Sequence, residues 1–105
     1  MRNLKQAGYN YMSTRGTLLK RGHYKTFKVF FYKGNSYAIF GTGDKSVKDL
    51  DVQVYDKDWN VVAEDYANSG PIYAVQVSPE QTGVFYVRTS MYDGKGYFFQ
   101  TIGWK

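Results

Sequence analysis

Residues 36–65 read SYAIFGTGDKSVKDLDVQVYDKDWNVVAED, and this stretch decides the fold. It parses as strand, polar loop, strand, tight acidic turn, strand. At its centre, Asp49-Leu50-Asp51-Val52-Gln53-Val54-Tyr55-Asp56 alternates apolar and polar residues, the two-residue period of a half-buried strand. Leu50, Val52 and Val54 form the inward set, so Asp49, Asp51, Gln53 and Tyr55 point the other way. Asp56-Lys57-Asp58-Trp59-Asn60 is rich in turn formers and joins this strand closely to the next.

The same alternation continues on both sides. In His23–Tyr32, Phe27, Val29 and Phe31 fall on one face, and Thr26, Lys28, Phe30 and Tyr32 on the other. Tyr37, Ile39 and Gly41 face inward on the following strand. Further on, Phe85, Val87 and Thr89 do the same. Turn clusters at Lys33-Gly34-Asn35-Ser36, Pro79–Gly83 and Tyr92–Gly96 separate the runs. About eight short strands at regular spacing predict an all-β sandwich or barrel, with antiparallel pairing because the loops are too short for parallel crossovers. Residues 1–15 lack clean periodicity and are expected to form an arm, with a short strand around Tyr9–Met12. The β domain is expected over residues 16–105.

The 105 residues are enough for one domain with a real core. Eleven tyrosines and seven phenylalanines suit pleated surfaces and exclude a disordered chain. There is no cysteine, and no apolar run has the length of a membrane span. The net charge of +5 is uneven: residues 1–33 carry eight basic and no acidic side chains. An anion-binding surface in this basic third is one reading, and solvated lysines are the plainer one. The interleaved Tyr24-Lys25-Thr26-Phe27-Lys28 has the residue types that stack bases beside phosphates. Phe27 is claimed by the core, however, and the acidic second half opposes a nucleic-acid partner.

No catalytic constellation stands out. His23 is the only histidine, and a strand-end position beside Tyr24 suits a surface residue better than a triad base. Asp49 and Asp51 share a face ~7 Å apart, the i to i+2 spacing. That separation suits two-carboxylate glycoside chemistry, but so small a sandwich rarely builds the cleft it needs. No cofactor is required. Calcium is the metal these acids suit, with Asp44, Asp49 and Asp51 as expected ligands. Asp56-x-Asp58-x-Asn60 is not an EF-hand, since Val61 and Ala67 stand where Gly and Glu are needed. The plainer alternative is that these aspartates cap turns.

An ordered series of blocks resembles the bacterial pre-peptidase C-terminal domain family. The blocks are Gly16-Thr17-Leu18, the Phe27-Val29-Phe31 strand with Lys33-Gly34-Asn35-Ser36-Tyr37-Ala38-Ile39, Gly43-Asp44, Asp49-Leu50-Asp51-Val52, Tyr55-Asp56-Lys57-Asp58, Ser78-Pro79 with Thr82-Gly83-Val84-Phe85-Tyr86-Val87, and Gly96-Tyr97. They span residues 16–102. Trp59 stands where the family often has Gly, Val52 where it often has Leu, and Phe85 where it often has Tyr. The resemblance implies a jelly-roll-like sandwich, non-catalytic and appended to exported enzymes. It also implies an extracellular or periplasmic location and relatives that bind collagen, calcium or carbohydrate.

The function expected from the residues is binding of a polymer, carbohydrate or extracellular protein, through an aromatic sheet face. Tyr55, Gln53, Tyr73 and Tyr86 are the expected contacts, with Tyr66 and Tyr92 also outward or in loops. Such rings pair apolar area with a hydroxyl handle. A structural sandwich that assembles through a sheet face or edge is the alternative.

Overall fold

A computed structural model describes residues 8–65 and 70–105. It contains eight strands: β1 (Asn10–Leu19), β2 (Tyr24–Phe31), β3 (Tyr37–Gly43), β4 (Val47–Tyr55), β5 (Val61–Asp65), β6 (Ile72–Val77), β7 (Gly83–Gly94) and β8 (Gly96–Trp104). All pairings are antiparallel. The first sheet has the order β1-β8-β3-β6 and the second β2-β7-β4-β5. Consecutive strands cross from one sheet to the other except β4 and β5, which pair with each other, the jelly-roll-like arrangement that the resemblance implies.

β1 runs unbroken across the expected boundary at residue 15, apart from a register shift between Tyr11 and Ser13. Residues 10–15 therefore belong to the sheet. Gly16 and the polar run before it hid the alternation, because the outer face of an edge strand need not be apolar.

The inner faces of the sheets meet in one core. Phe31, Ile39, Leu50, Val52, Val54, Val87, Met91, Phe98 and Ile102 are all within 1% of complete burial. Burying a side chain such as Leu50 is worth ~1.5–3 kcal/mol. Phe31 stacks on Tyr37 with centroids 3.9 Å apart, and the Tyr32 amide donates to the Tyr37 hydroxyl at 2.7 Å. Gly41 faces inward because the Tyr73 ring fills its space: a Cβ there would lie 2.1 Å from the ring.

β1 and β2 are edge strands of different sheets, as are β5 and β6. Phe27 lies at the β2 edge and is only half-buried. The Arg15 guanidinium and the Lys25 ammonium cover its ring at 5.5 and 6.0 Å. Basic side chains on exposed edges discourage further strand pairing. That explains part of the charge concentrated in the first third of the chain.

Candidate functional site

The outer face of the second sheet carries an aromatic and cationic cluster. Its keystone is the turn between β4 and β5. The Asp56 carboxylate accepts the amides of Asp58 and Asn60, each at 2.9 Å. It also accepts the Asn60 side-chain amide at 3.2 Å. These bonds, the Asn60 amide foremost, hold the Asp56 carboxyl below its usual range. The Asp56 carbonyl accepts the Trp59 amide at 3.1 Å. This closes the turn with Trp59 at φ = 64°, the one non-glycine residue with positive φ among those described.

A bulky side chain there is an outlier that costs ~1–2 kcal/mol. In return, Trp59 stacks on Tyr86 of β7, with centroids 4.1 Å apart and planes 12° apart. An aromatic pair of this kind gives ~0.5–1.5 kcal/mol. Cost and gain are of similar size, so stability alone does not explain a tryptophan at a position suited to glycine. The indole remains 49% exposed.

Tyr55 lies on the outer face, as its parity requires, but only 9% of it is exposed. The expectation of an accessible ring fails because neighbours cover it. Trp59 packs against it at 5.5 Å, and the Arg88 guanidinium lies 5.2 Å from its centroid. Its hydroxyl donates to the Gln53 Oε1 at 2.6 Å. Gln53 and Tyr86 are partly exposed on the same face. Arg88 also lies over Tyr24 of β2 at 4.5 Å, so its cation is held between two rings.

Tyr73 does not belong to this face. It is 1% exposed and lies between the sheets. Its hydroxyl bonds Thr89 at 2.7 Å and the Gln100 Oε1 at 2.9 Å, and burial pushes its pKa upward. The signal was present in the sequence. Tyr73 shares parity with the inward Val75 and Val77 of β6. Tyr66 lies outside the described residues, and Tyr92 is exposed.

The expected metal ligands do not converge, and no group of three acidic or histidine side chains suited to an ion occurs among the described residues. Asp44 caps the β3–β4 turn, accepting the amides of Ser46 at 2.8 Å and Tyr97 at 3.0 Å. Those amides lower its pKa. Asp49 accepts the Gly70 amide at 3.4 Å. Asp51 has one buried oxygen without a hydrogen-bond partner. Burial raises its pKa to about 6, helped by the Asp49 and Asp65 charges.

The interleaved stretch at Tyr24–Lys28 is split by strand parity. Tyr24, Thr26 and Lys28 face outward, whereas Lys25 and Phe27 turn toward the sandwich edge. A cleft of about 530 Å³ opens at the Trp59 end, between the Asp56–Asp58 turn and residues 76–85.

The outer face of the first sheet differs in character. Its outward strand positions, including Leu18, Phe40, Thr42, Ile72, Tyr97 and Phe99, carry no charge. Leu18, Ile72, Tyr97 and Phe99 are each at least half exposed.

No family model and no curated protein matches the chain. Solved structures do. The chain is similar to the pre-peptidase C-terminal domain of a collagenase from Bacillus anthracis, with a TM-score of 0.69 and 17% identity over 86% of this chain and 87% of that one. It is also similar to PliG of Aeromonas hydrophila, a periplasmic lysozyme inhibitor of g-type lysozyme, with a TM-score of 0.67 and 6% identity over 94% and 90% of the two chains. At these identities the likeness is one of fold, an antiparallel β-sandwich shared with both proteins.

Proposed function

We propose that this domain is a non-catalytic, exported module that binds a polysaccharide through the outer face of its second sheet. The observation that carries the reading is Trp59, half exposed and stacked on Tyr86 from a backbone conformation that favours glycine. Strain retained at an exposed aromatic residue points to a use outside the fold. The flat indole supplies a platform for a sugar ring. Tyr86 and Gln53 supply polar edges, and the covered Tyr55 positions the indole and the guanidinium. The similar folds support an accessory role, one being a domain of a collagenase and the other a periplasmic inhibitor. Retention on a panel of insoluble and immobilised polysaccharides tests the reading. Wild type is held by at least one polymer, and Trp59→Ala is not held. Equal retention of both proteins on every polymer contradicts it.

A second reading, assembly through a protein contact, is favoured by the uncharged outer face of the first sheet. Leu18 of β1, Tyr97 and Phe99 of β8 and Ile72 of β6 are exposed apolar side chains on three strands of this face, the kind of exposed patch that marks protein contacts. A change in oligomeric state on Phe99→Lys, measured by light scattering, would support this reading.

A further inference from the structure

We propose that the polymer is acidic, a polysaccharide bearing carboxylate or sulfate groups, and that Arg88 receives the acid group. This rests on the reading of the second sheet's outer face as the polymer-binding surface.

Arg88 is a cation without a carboxylate. Its guanidinium lies 4.5 Å from the Tyr24 centroid and 5.2 Å from the Tyr55 centroid. Its one hydrogen bond runs from Nε to the Thr26 hydroxyl at 3.5 Å, the limit of such a bond. Neither terminal nitrogen has a hydrogen-bond or ion-pair partner among the described residues. Acids do stand on this face: Asp49 and Asp51 on β4 and Glu64 on β5. The ion pair among the described residues is elsewhere, between Arg21 and Asp93. Gln53, directly opposite Arg88 in the β4–β7 register, has its carbonyl oxygen engaged by the Tyr55 hydroxyl.

Rings against a guanidinium cover its faces and leave its N–H edges uncovered. Those edges are the fork that matches a carboxylate or sulfate with two parallel bonds. The rings also fix the side chain beforehand, so little freedom is lost when the anion arrives. A second cation stands close by: Lys28 of β2 lies opposite Tyr86 in register and so diagonal to Arg88. Tyr86 and Arg88 are two apart on β7, ~7 Å along the strand. One sugar unit on the Trp59–Tyr86 platform can therefore present an exocyclic acid to the Arg88 fork.

The test uses polygalacturonate and its methyl ester, which share a backbone and differ in charge, with dextran sulfate as the sulfated counterpart. Affinity electrophoresis of the wild type, Trp59→Ala, Arg88→Gln and Arg88→Lys gives the readout, and thermal melting confirms that each variant is folded. Wild type should prefer an acidic polymer to the ester and weaken as salt rises. Arg88→Gln should lose about tenfold or more in affinity for the acidic polymer, the scale of a charged hydrogen bond. Its affinity for the ester, which offers no charge to the fork, should fall by clearly less than its affinity for the acid. Arg88→Lys, which keeps the charge but not the fork, should fall between. Should Arg88→Gln destabilise the fold, the wild type's own preference between acid and ester still decides. Equal affinity of wild type for acid and ester, or of Arg88→Gln and wild type for the acid, overturns the inference. Loss of ester binding in Trp59→Ala would then leave the polymer-binding reading standing. Binding by no polymer overturns both.

Discussion

The Trp59 indole and the Tyr86 ring lie parallel, 4.1 Å apart, and bridge the β4–β5 turn to the strand beyond β4. The contact holds an aromatic surface on the sheet at the expense of backbone strain at Trp59. A glycine there would relieve the strain and forfeit the stack. Trp59→Gly should therefore leave the unfolding free energy within about 1 kcal/mol of wild type, while polymer retention is lost. Paired denaturant titrations and retention assays check this. A loss of several kcal/mol would make Trp59 a structural residue instead.

Tyr73 anchors the polar part of the core. Its hydroxyl serves Thr89 and Gln100, both essentially buried. Tyr73→Phe keeps the ring beside Gly41 and leaves those two groups without that partner. The expected cost is ~1–3 kcal/mol, the penalty for unsatisfied buried polar groups. Polymer binding should be unchanged, because the residue is remote from the outer face. A urea midpoint equal to wild type would contradict this role.

Asp51 gives the domain a pH dependence. Its folded pKa, raised to about 6 by burial and then by the charges of Asp49 and Asp65, exceeds the ordinary aspartate value of 3.8. Between these values the folded state holds a proton that the unfolded chain releases. Stability is therefore greatest at low pH for this group, and it declines as pH rises through roughly 4 to 6. Asp51→Asn should flatten that decline. At pH 7 it should stabilise the fold by about 1 kcal/mol, a figure discounted for the solvent that still screens the group. Urea midpoints at pH 4, 5, 6 and 7 give the comparison. A variant less stable than wild type at pH 7 would contradict the assignment.

The core was legible where one face of a strand is apolar. Leu50, Val52, Val54, Phe85 and Val87 follow directly from period-two alternation, and the structure buries all five. Tyr73 was misjudged because tyrosine is at home on either face, although its phase with Val75 and Val77 placed it inside. Tyr55 had the correct face but the wrong exposure. Parity reports direction, whereas cover depends on Trp59 and Arg88, which reach it from a turn and from another strand. Arg88 shares parity with Tyr86, yet its place between Tyr24 and Tyr55 depends on strand order, which a single strand's pattern does not encode. Trp59 was missed as a site residue because the sequence marks it only as a bulky member of a turn, and its place against Tyr86 depends on the turn geometry.

The chain contains two tryptophans, Trp59 on the outer face of the second sheet and Trp104 at the end of β8 in the first. Their indole N–H resonances therefore report separately on the two sheets. Titrating the labelled protein with short polygalacturonate fragments tests the binding surface most directly. The Trp59 signal should move in a saturable way while the Trp104 signal stays in place. Movement of Trp104 alone, or of neither, would contradict the assignment of the second sheet's outer face.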